Sequence, residues 1–175
     1  MKSKAFIILL LFVQTAYSQT RNIQVESFQT PDSSLWFNWK MKLCDPLDLV
    51  SIQNSEHKTH FRLWTKRQVI DLWESSEGKK NARLTSWTAE YSKEYDFDNQ
   101  KTHFNAYNLD SLITVLLFNL IDSSSILTIP DSDAIENWSN GHDGITYIIE
   151  NADADNYFFK SYILKMLYFI NFFNA

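Results

Sequence analysis

The stretch from residue 59 to 91 constrains the fold most, because it reads as three β-strands whose apolar and charged residues match in one register. A two-residue turn at Lys66-Arg67 pairs Arg62 with Asp71 and brings apolar residues opposite each other on the neighbouring positions. A slip of one residue would place Arg62 against an apolar side chain and lose every match. The sequence therefore predicts a hairpin in this register.

The next connection, Ser76-Glu77-Gly78, has the form of a three-residue hairpin loop with glycine at the position that needs a positive φ. This loop pairs Asp71 with Arg83, so that one row of alternating charges crosses all three strands. One face of the meander is then apolar and is expected to form core, through Phe61, Leu63, Ile70, Leu72, Ala82 and Leu84. The opposite face, called here the Trp/Arg face, carries Arg62, Asp71, Arg83, Trp64, Trp73 and Trp87.

The Trp/Arg face has two interpretations. In the first, its rings form a platform for a sugar ring or an aromatic ligand, and its arginine and aspartate side chains supply directional hydrogen bonds. In the second, the rings pack beneath the aromatic-rich N-terminal or C-terminal segment, and the charge pairs chiefly fix the register. We take the six residues of the Trp/Arg face as the candidate ligand-binding residues, with exposure of the rings as the deciding observation.

Residues 108–121 carry the clearest helical pattern, with leucine and isoleucine recurring at helical spacing behind an Asn108 cap. Alternating residues near the C-terminal end predict a hairpin over 145–162. The predicted fold class is α+β, an antiparallel sheet built on the meander at 59–91 and this hairpin, packed against one main helix at 108–121. Nearer the N-terminus, the apolar and aromatic run Leu35 to Leu43 predicts another strand, followed by a short helix from Asp45-Pro46.

The first residues have the layout of a secretory signal peptide. Two lysines precede an apolar run, and Ala16-Tyr17-Ser18 supplies small residues for cleavage after Ser18. This layout resembles the signal peptides of small exported bacterial proteins. The apolar run is shorter than the roughly 20 residues that span a bilayer. We therefore expect residues 1–18 to be removed and 19–175 to form a single exported domain, periplasmic or extracellular, without stable membrane insertion.

Composition narrows the function classes. The formal net charge of −5 argues against nucleic acid as a partner, because phosphates attract a positive surface. The single cysteine, Cys44, forms no disulfide within the chain, and we expect a buried, inert thiol. Three glycines are too few for a phosphate-cradling loop. Residues 163–175 form an anomalous apolar tail without alternation, which we interpret as an altered reading frame or gene end.

No pattern identifies a catalytic residue, and we expect no metal or cofactor. His57 and His60 are three apart, but a zinc site needs three or four converging ligands. The favoured function is an exported, noncatalytic protein that binds a small molecule, a glycan or a protein through the Trp/Arg face. The alternative is a small exported hydrolase that takes an acid and a base from the acidic, histidine-containing segment 131–143.

Overall fold

A computed structural model describes residues 21–25, 31–90, 101–130, 132–136 and 145–164. Within these ranges the chain forms seven strands and two α-helices. The strands are β1 (Asn22–Val25), β2 (Thr59–Trp64), β3 (Gln68–Glu74), β4 (Lys80–Ala89), β5 (Thr102–Asn108), β6 (Ile145–Ala152) and β7 (Asn156–Leu164). The helices are α1 (Pro31–Cys44) and α2 (Ser111–Ser123), and short 3-10 turns follow each helix, among them Asp45–Leu47, Ile52–Asn54 and Ser125–Leu127.

All seven strands belong to one sheet in the order β1-β7-β6-β2-β3-β4-β5. The six strands from β7 to β5 are antiparallel to their neighbours, and β1 adds to β7 in parallel. The predicted register of the meander is confirmed, because Arg62 lies opposite Asp71 and Asp71 lies opposite Arg83. Gly78 has a φ of 82°, the left-handed conformation that the predicted loop requires. The α+β class and the C-terminal hairpin are likewise confirmed.

The sheet is covered on both faces. Helix α2 lies on the face predicted to be apolar, where Phe118 packs with Phe61, Leu72 and Tyr162. Helix α1 and the two 3-10 turns that follow it cover the opposite face. The core on that side consists of Cys44, Leu47, Leu49, Ile52, Trp64, Val69, Trp87, Ile148, Ala152, Tyr157 and Phe159. The Trp/Arg face therefore forms one side of a second hydrophobic core, which α1 covers, and is not an open surface.

The strand predicted from Leu35 to Leu43 is wrong, because these residues lie inside α1. The helix begins at Pro31, where a proline without an N–H costs no hydrogen bond. Trp36 packs against the core, as do Lys40 and Cys44 at successive intervals of four residues, while Leu35 is 70% exposed. Apolar residues on the outward side of the helix hide this period in the sequence.

One helix boundary and two further strands differ from the predictions. Helix α2 starts at Ser111, with Asp110 as its cap, because Asn108 is the last residue of β5. The sequence pattern predicted neither β5 nor β1. Residues 1–18, and the tail beyond Leu164, lie outside the described residues, so the signal peptide and the apolar tail stay predictions. Neither described helix is long and apolar enough to cross a bilayer.

Beside its pairing with β7, β1 is connected to the rest of the fold through Arg21. Arg21, the residue before β1, is buried and donates hydrogen bonds to three backbone carbonyls, Asp153 O, Ile52 O and His57 O, each at 2.6 Å. It also donates to Ser55 Oγ at 2.9 Å. These contacts join the first described strand to the β6–β7 turn and to the segment before β2.

Candidate functional site

The structure brings the six candidate residues of the Trp/Arg face together on one side of β2, β3 and β4, as the register predicted. Arg62 and Trp64 are fully buried, Asp71 is 4% exposed and Trp87 is 8% exposed. Trp73 and Arg83 are half-buried. An open platform of Trp rings is therefore not the arrangement that these residues adopt. Whether they bind a ligand stays a prediction.

Arg62 is the centre of a buried charged network. Its guanidinium donates to Asp71 through Nε–Oδ1 at 3.0 Å and Nη2–Oδ2 at 2.9 Å, and its Nη1 lies 3.6 Å from Glu150 Oε1. Burial alone would raise the pKa of Asp71, but the charge of Arg62 and hydrogen bonds from His60 and Arg62 lower it to about 2. The pKa of Arg62 is raised, since burial is outweighed by Glu150 and Asp71. The Asp71 carboxylate therefore stays ionised inside the core.

Glu150 is a member of this network that the sequence analysis missed. It is fully buried opposite Arg62 in the β2–β6 pairing. Trp64 Nε1 donates to its Oε1, and the Tyr157 hydroxyl donates to its Oε2 at 2.8 Å. Burial and the neighbouring Glu150 carboxylate raise the pKa of Tyr157. The only signal in the sequence was an acid at the end of an otherwise apolar strand, which does not reveal its partner.

A pair of histidines extends the network to the surface. His60 Nε2 lies 2.7 Å from Asp71 Oδ1, and His60 Nδ1 lies 3.1 Å from His57 Nδ1. The His57 ring stacks on Trp73 with 5.7 Å between centroids, which accounts for the position of this tryptophan. Burial and the neighbouring His60 lower the pKa of His57. In the described part of the chain, no group of three His, Cys, Asp or Glu residues is arranged to hold a metal ion.

Lys40 of α1 occupies the space among the buried Trp rings. Its Nζ lies 4.7 Å from the Trp64 ring centroid, 5.6 Å from Trp87 and 4.6 Å from Trp39. Burial lowers the pKa of Lys40 to about 8, against the opposing effect of Glu150. The chain's own ammonium group thus fills the position where a ligand would stack on Trp64.

Arg83, the remaining charged residue of the Trp/Arg face, has a structural role. Its guanidinium donates to Asp48 O at 3.0 Å and Leu47 O at 3.3 Å, and so binds the 3-10 turn after α1.

Cys44, at the end of α1, is a buried free thiol, as expected, and burial raises its pKa to about 11. A thiol held in its protonated form is a poor nucleophile.

The described surface has a cleft of about 760 Å³ where the β2–β3 turn meets β4 and β5. We call it the Trp87 cleft, after the one candidate residue that lines it. Gln68 lies opposite Ser86, and Ser86 opposite Asn105, so a polar row crosses three strands. The full lining is Thr65, Lys66, Arg67, Gln68, Ser86, Trp87, Thr88, Thr102, His103, Phe104 and Asn105.

Phe104 pairs with Trp87 across β4 and β5 and is 39% exposed. It presents an aromatic surface on the face of the sheet opposite the polar row, because successive side chains of a strand point to opposite faces. Lys66 and Arg67 add positive charge, and the lining contains no carboxylate. Glu90 lies outside the lining, with its Oε2 3.5 Å from His103 Nε2. Sequence reasoning missed this site because four of its eleven residues lie on β5, whose sequence alternates too little to be recognised as a strand.

The acidic segment 131–143 is only partly described. Ser132 is buried and follows Pro130 in a short turn, whereas Asp131, His142 and Asp143 lie outside the described residues. The proposed acid and base therefore have no geometry to support them, and the hydrolase stays a prediction. The chain matches no protein-family model, no curated protein and no solved structure.

Proposed function

We propose that this chain is an exported, noncatalytic α+β protein that binds a small molecule or a glycan in the Trp87 cleft. The cleft itself carries the proposal, because its lining includes an exposed aromatic ring together with hydroxyl, amide and cationic side chains. Its volume of about 760 Å³ falls within the range of ligand pockets, roughly 300–1,000 Å³. Export rests on the signal-peptide pattern of residues 1–18.

The lining favours a ligand that presents both a flat apolar face and a hydroxyl group. Phe104 offers a ring surface for the apolar face of a sugar or an aromatic group. Thr102 lies two positions before Phe104 on β5 and so shares its face of the sheet, and its hydroxyl both donates and accepts hydrogen bonds. Gln68, Ser86 and Asn105 line the cleft from the opposite face of the sheet. A ligand on the Phe104 side is held by contact with the ring and oriented by the Thr102 hydroxyl.

A noncatalytic role is supported by where the titratable groups lie. The carboxylates of Asp71 and Glu150 are engaged with Arg62, His60, Trp64 and Tyr157 inside the core. The cleft lining offers one imidazole, His103, and the carboxylate that pairs with it, that of Glu90, lies outside the lining. An acid and a base within reach of the same bound ligand, which hydrolysis requires, are not among the lining residues.

Tryptophan fluorescence tests binding directly, because Trp87 forms part of the cleft wall. The purified chain is titrated with a panel of sugars, sugar acids and metabolites, and any ligand that shifts the emission is then measured against Phe104→Ala and Asn105→Ala. Loss of ring stacking is expected to weaken affinity up to roughly tenfold, since such contacts contribute about 0.5–1.5 kcal/mol.

Tyr107→Ala is the matched control, because Tyr107 lies on the same strand, is 59% exposed and does not line the cleft. The control is expected to bind as the unmodified chain does. Absence of any shift across the panel would count against the proposal, and so would an equal loss in Tyr107→Ala. Export is tested separately by sequencing the N-terminus of the secreted product, which should begin at Gln19.

A further inference from the structure

His57 and His60, called here the histidine pair, lie where the buried charged network reaches the surface. Their two Nδ1 atoms are 3.1 Å apart, and His60 Nε2 is 2.7 Å from Asp71 Oδ1. His60 is buried, whereas His57 is half-buried and its ring stacks on Trp73 with 26° between the ring planes. The His57 ring therefore covers one face of Trp73.

The hydrogen bonds limit how many protons the histidine pair can hold. Because the Asp71 carboxylate is ionised and accepts, His60 Nε2 carries a hydrogen. Only one hydrogen fits between the two Nδ1 atoms, since one nitrogen must donate and the other must accept. A charged histidine carries a hydrogen on both ring nitrogens. The pair in contact can therefore hold one positive charge, and a second would set two N–H groups against each other.

The surrounding charges do not remove this limit. The charged groups that face the histidine pair are Arg21, Glu56, Arg62, Asp71 and Asp153. Arg21 contacts His57 directly, because its Nη2 donates to the His57 carbonyl at 2.6 Å. Burial and the neighbouring His60 lower the pKa of His57, despite the opposing effect of Asp71 and Glu56. A cation on His57 is thus disfavoured while its ring stays on Trp73.

We propose that the histidine pair is an acid-sensitive switch that covers Trp73 at neutral pH and uncovers it in acid. On the second proton the contact between the two Nδ1 atoms breaks, and the His57 ring turns out to water, which stabilises its charge. The backbone stays in place, because Arg21 binds the carbonyls of Ile52 and His57. The movement is therefore confined to one side chain, and it exposes one of the tryptophans of the Trp/Arg face.

The direction of the pH dependence follows from proton binding. The pKa of His57 is lowered in the closed form and returns to the ordinary value of 6.5 in the open form, which therefore binds more protons. The ratio of open to closed form should rise by up to about tenfold for each unit that the pH falls below 6.5. Asp71, with a pKa of about 2, keeps its charge over this range, so its ion pair with Arg62 is retained.

Acrylamide quenching of tryptophan emission, followed from about pH 8 to about pH 4.5, tests the switch. The unmodified chain is expected to show a reversible increase in quenching below pH 6.5, and Trp73→Phe to show none. His57→Phe should abolish the increase, because a phenyl ring stacks on Trp73 and binds no proton. His57→Gln, which keeps a hydrogen-bonding group and also binds no proton, should abolish it too. His103→Gln is the control, since His103 lies on β5 with its side chain 55% exposed, and it should keep the increase.

Far-UV circular dichroism at each pH separates the switch from unfolding of the whole chain. The dichroism is expected to stay constant over the range in which quenching changes. Constant quenching of the unmodified chain between pH 8 and 4.5 would overturn the proposal. So would an increase that persists in both His57 variants or in Trp73→Phe, or one that coincides with loss of secondary structure.

Discussion

Arg62 and Asp71 lie directly opposite each other on β2 and β3, joined by two parallel hydrogen bonds of 3.0 and 2.9 Å in a region that water does not reach. A two-point contact of a planar guanidinium with a carboxylate is geometrically specific. Because Glu150 lies on the other side of Arg62, one cation neutralises parts of two buried acids. The pair therefore fixes the register of the meander and also joins β6 to it.

Removal of Arg62 should be severe. In Arg62→Met both Asp71 and Glu150 lose their cation inside the core, and breaking a buried ion pair of this kind costs about 3–5 kcal/mol of unfolding free energy. Urea denaturation measures the loss. Lys58→Met is the control, because Lys58 pairs with Glu74 at 2.8 Å but its side chain is 62% exposed. That change should cost at most about 1 kcal/mol, and equal losses in the two variants would contradict this account.

Asp71 should make the fold sensitive to acid. Its pKa in the folded protein is about 2, held below the ordinary value of 3.8, so its contribution to stability is complete above pH 3.8 and is lost as the pH falls through 2. A shift of this size corresponds to about 2 kcal/mol. The free energy of unfolding, measured by urea denaturation from pH 5 down to pH 2, should fall accordingly. In Asp71→Asn the same fall should be smaller, and an unchanged slope would argue against the assignment.

Lys40 should likewise make stability rise with pH, in this case on the alkaline side. Its folded pKa of about 8 lies below the ordinary 10.5, so the unfolded chain binds more protons between these values and stability rises with pH there. Comparison with Lys40→Met isolates the effect, because contributions from Cys44 and Tyr157 cancel. Between pH 7.5 and 10.5, the free energy of unfolding of the unmodified chain should rise relative to that of Lys40→Met by up to about 3 kcal/mol. A constant difference between the two proteins would show that Lys40 titrates normally.

Asp110 and Asn108 offer a test of where α2 begins. Asp110 Oδ1 accepts a hydrogen bond from Ile113 N at 2.9 Å, and Asn108 belongs to β5 with its side chain exposed. Asp110→Ala should lower the free energy of unfolding by about 1 kcal/mol, the usual value of a helix cap. Asn108→Ala should change it by less than about 0.5 kcal/mol. Thermal denaturation of the two variants distinguishes the two candidate caps. A larger loss of stability in Asn108→Ala than in Asp110→Ala would place the start of the helix at 108.

The register of the meander was predictable because both of its faces carry complementary pairs over short sequence distances. Leu63 opposite Ile70 and Arg62 opposite Asp71 are matches that a slipped register does not provide. The function of the same face was not predictable in this way. Its exposure depends on α1, whose apolar residues occur on both sides of the helix and so conceal the helical period.

The partners of the buried network also lay beyond sequence reasoning. Glu150 meets Arg62 across 88 positions, because β6 pairs with β2 and not with a neighbour in sequence. Such a pairing follows from packing of the whole sheet and leaves no local pattern. The Trp87 cleft could not be predicted either, because four of its lining residues lie on β5. Its strand contains Asn105 and Asn108, which are disfavoured in strands, so its β-propensity is weak.

The parallel pairing of β1 with β7 has a consequence for the order in which the sheet forms. Asn22 lies opposite Asn156, so this edge of the sheet closes only when segments more than a hundred residues apart are present together. Pairings of such high contact order form slowly. A chain that becomes available from its N-terminus onward carries β1 without its strand partner until β7 follows, although Ile52, Ser55 and His57 already offer partners to Arg21. The topology thus makes the β1 edge a late part of the sheet to close.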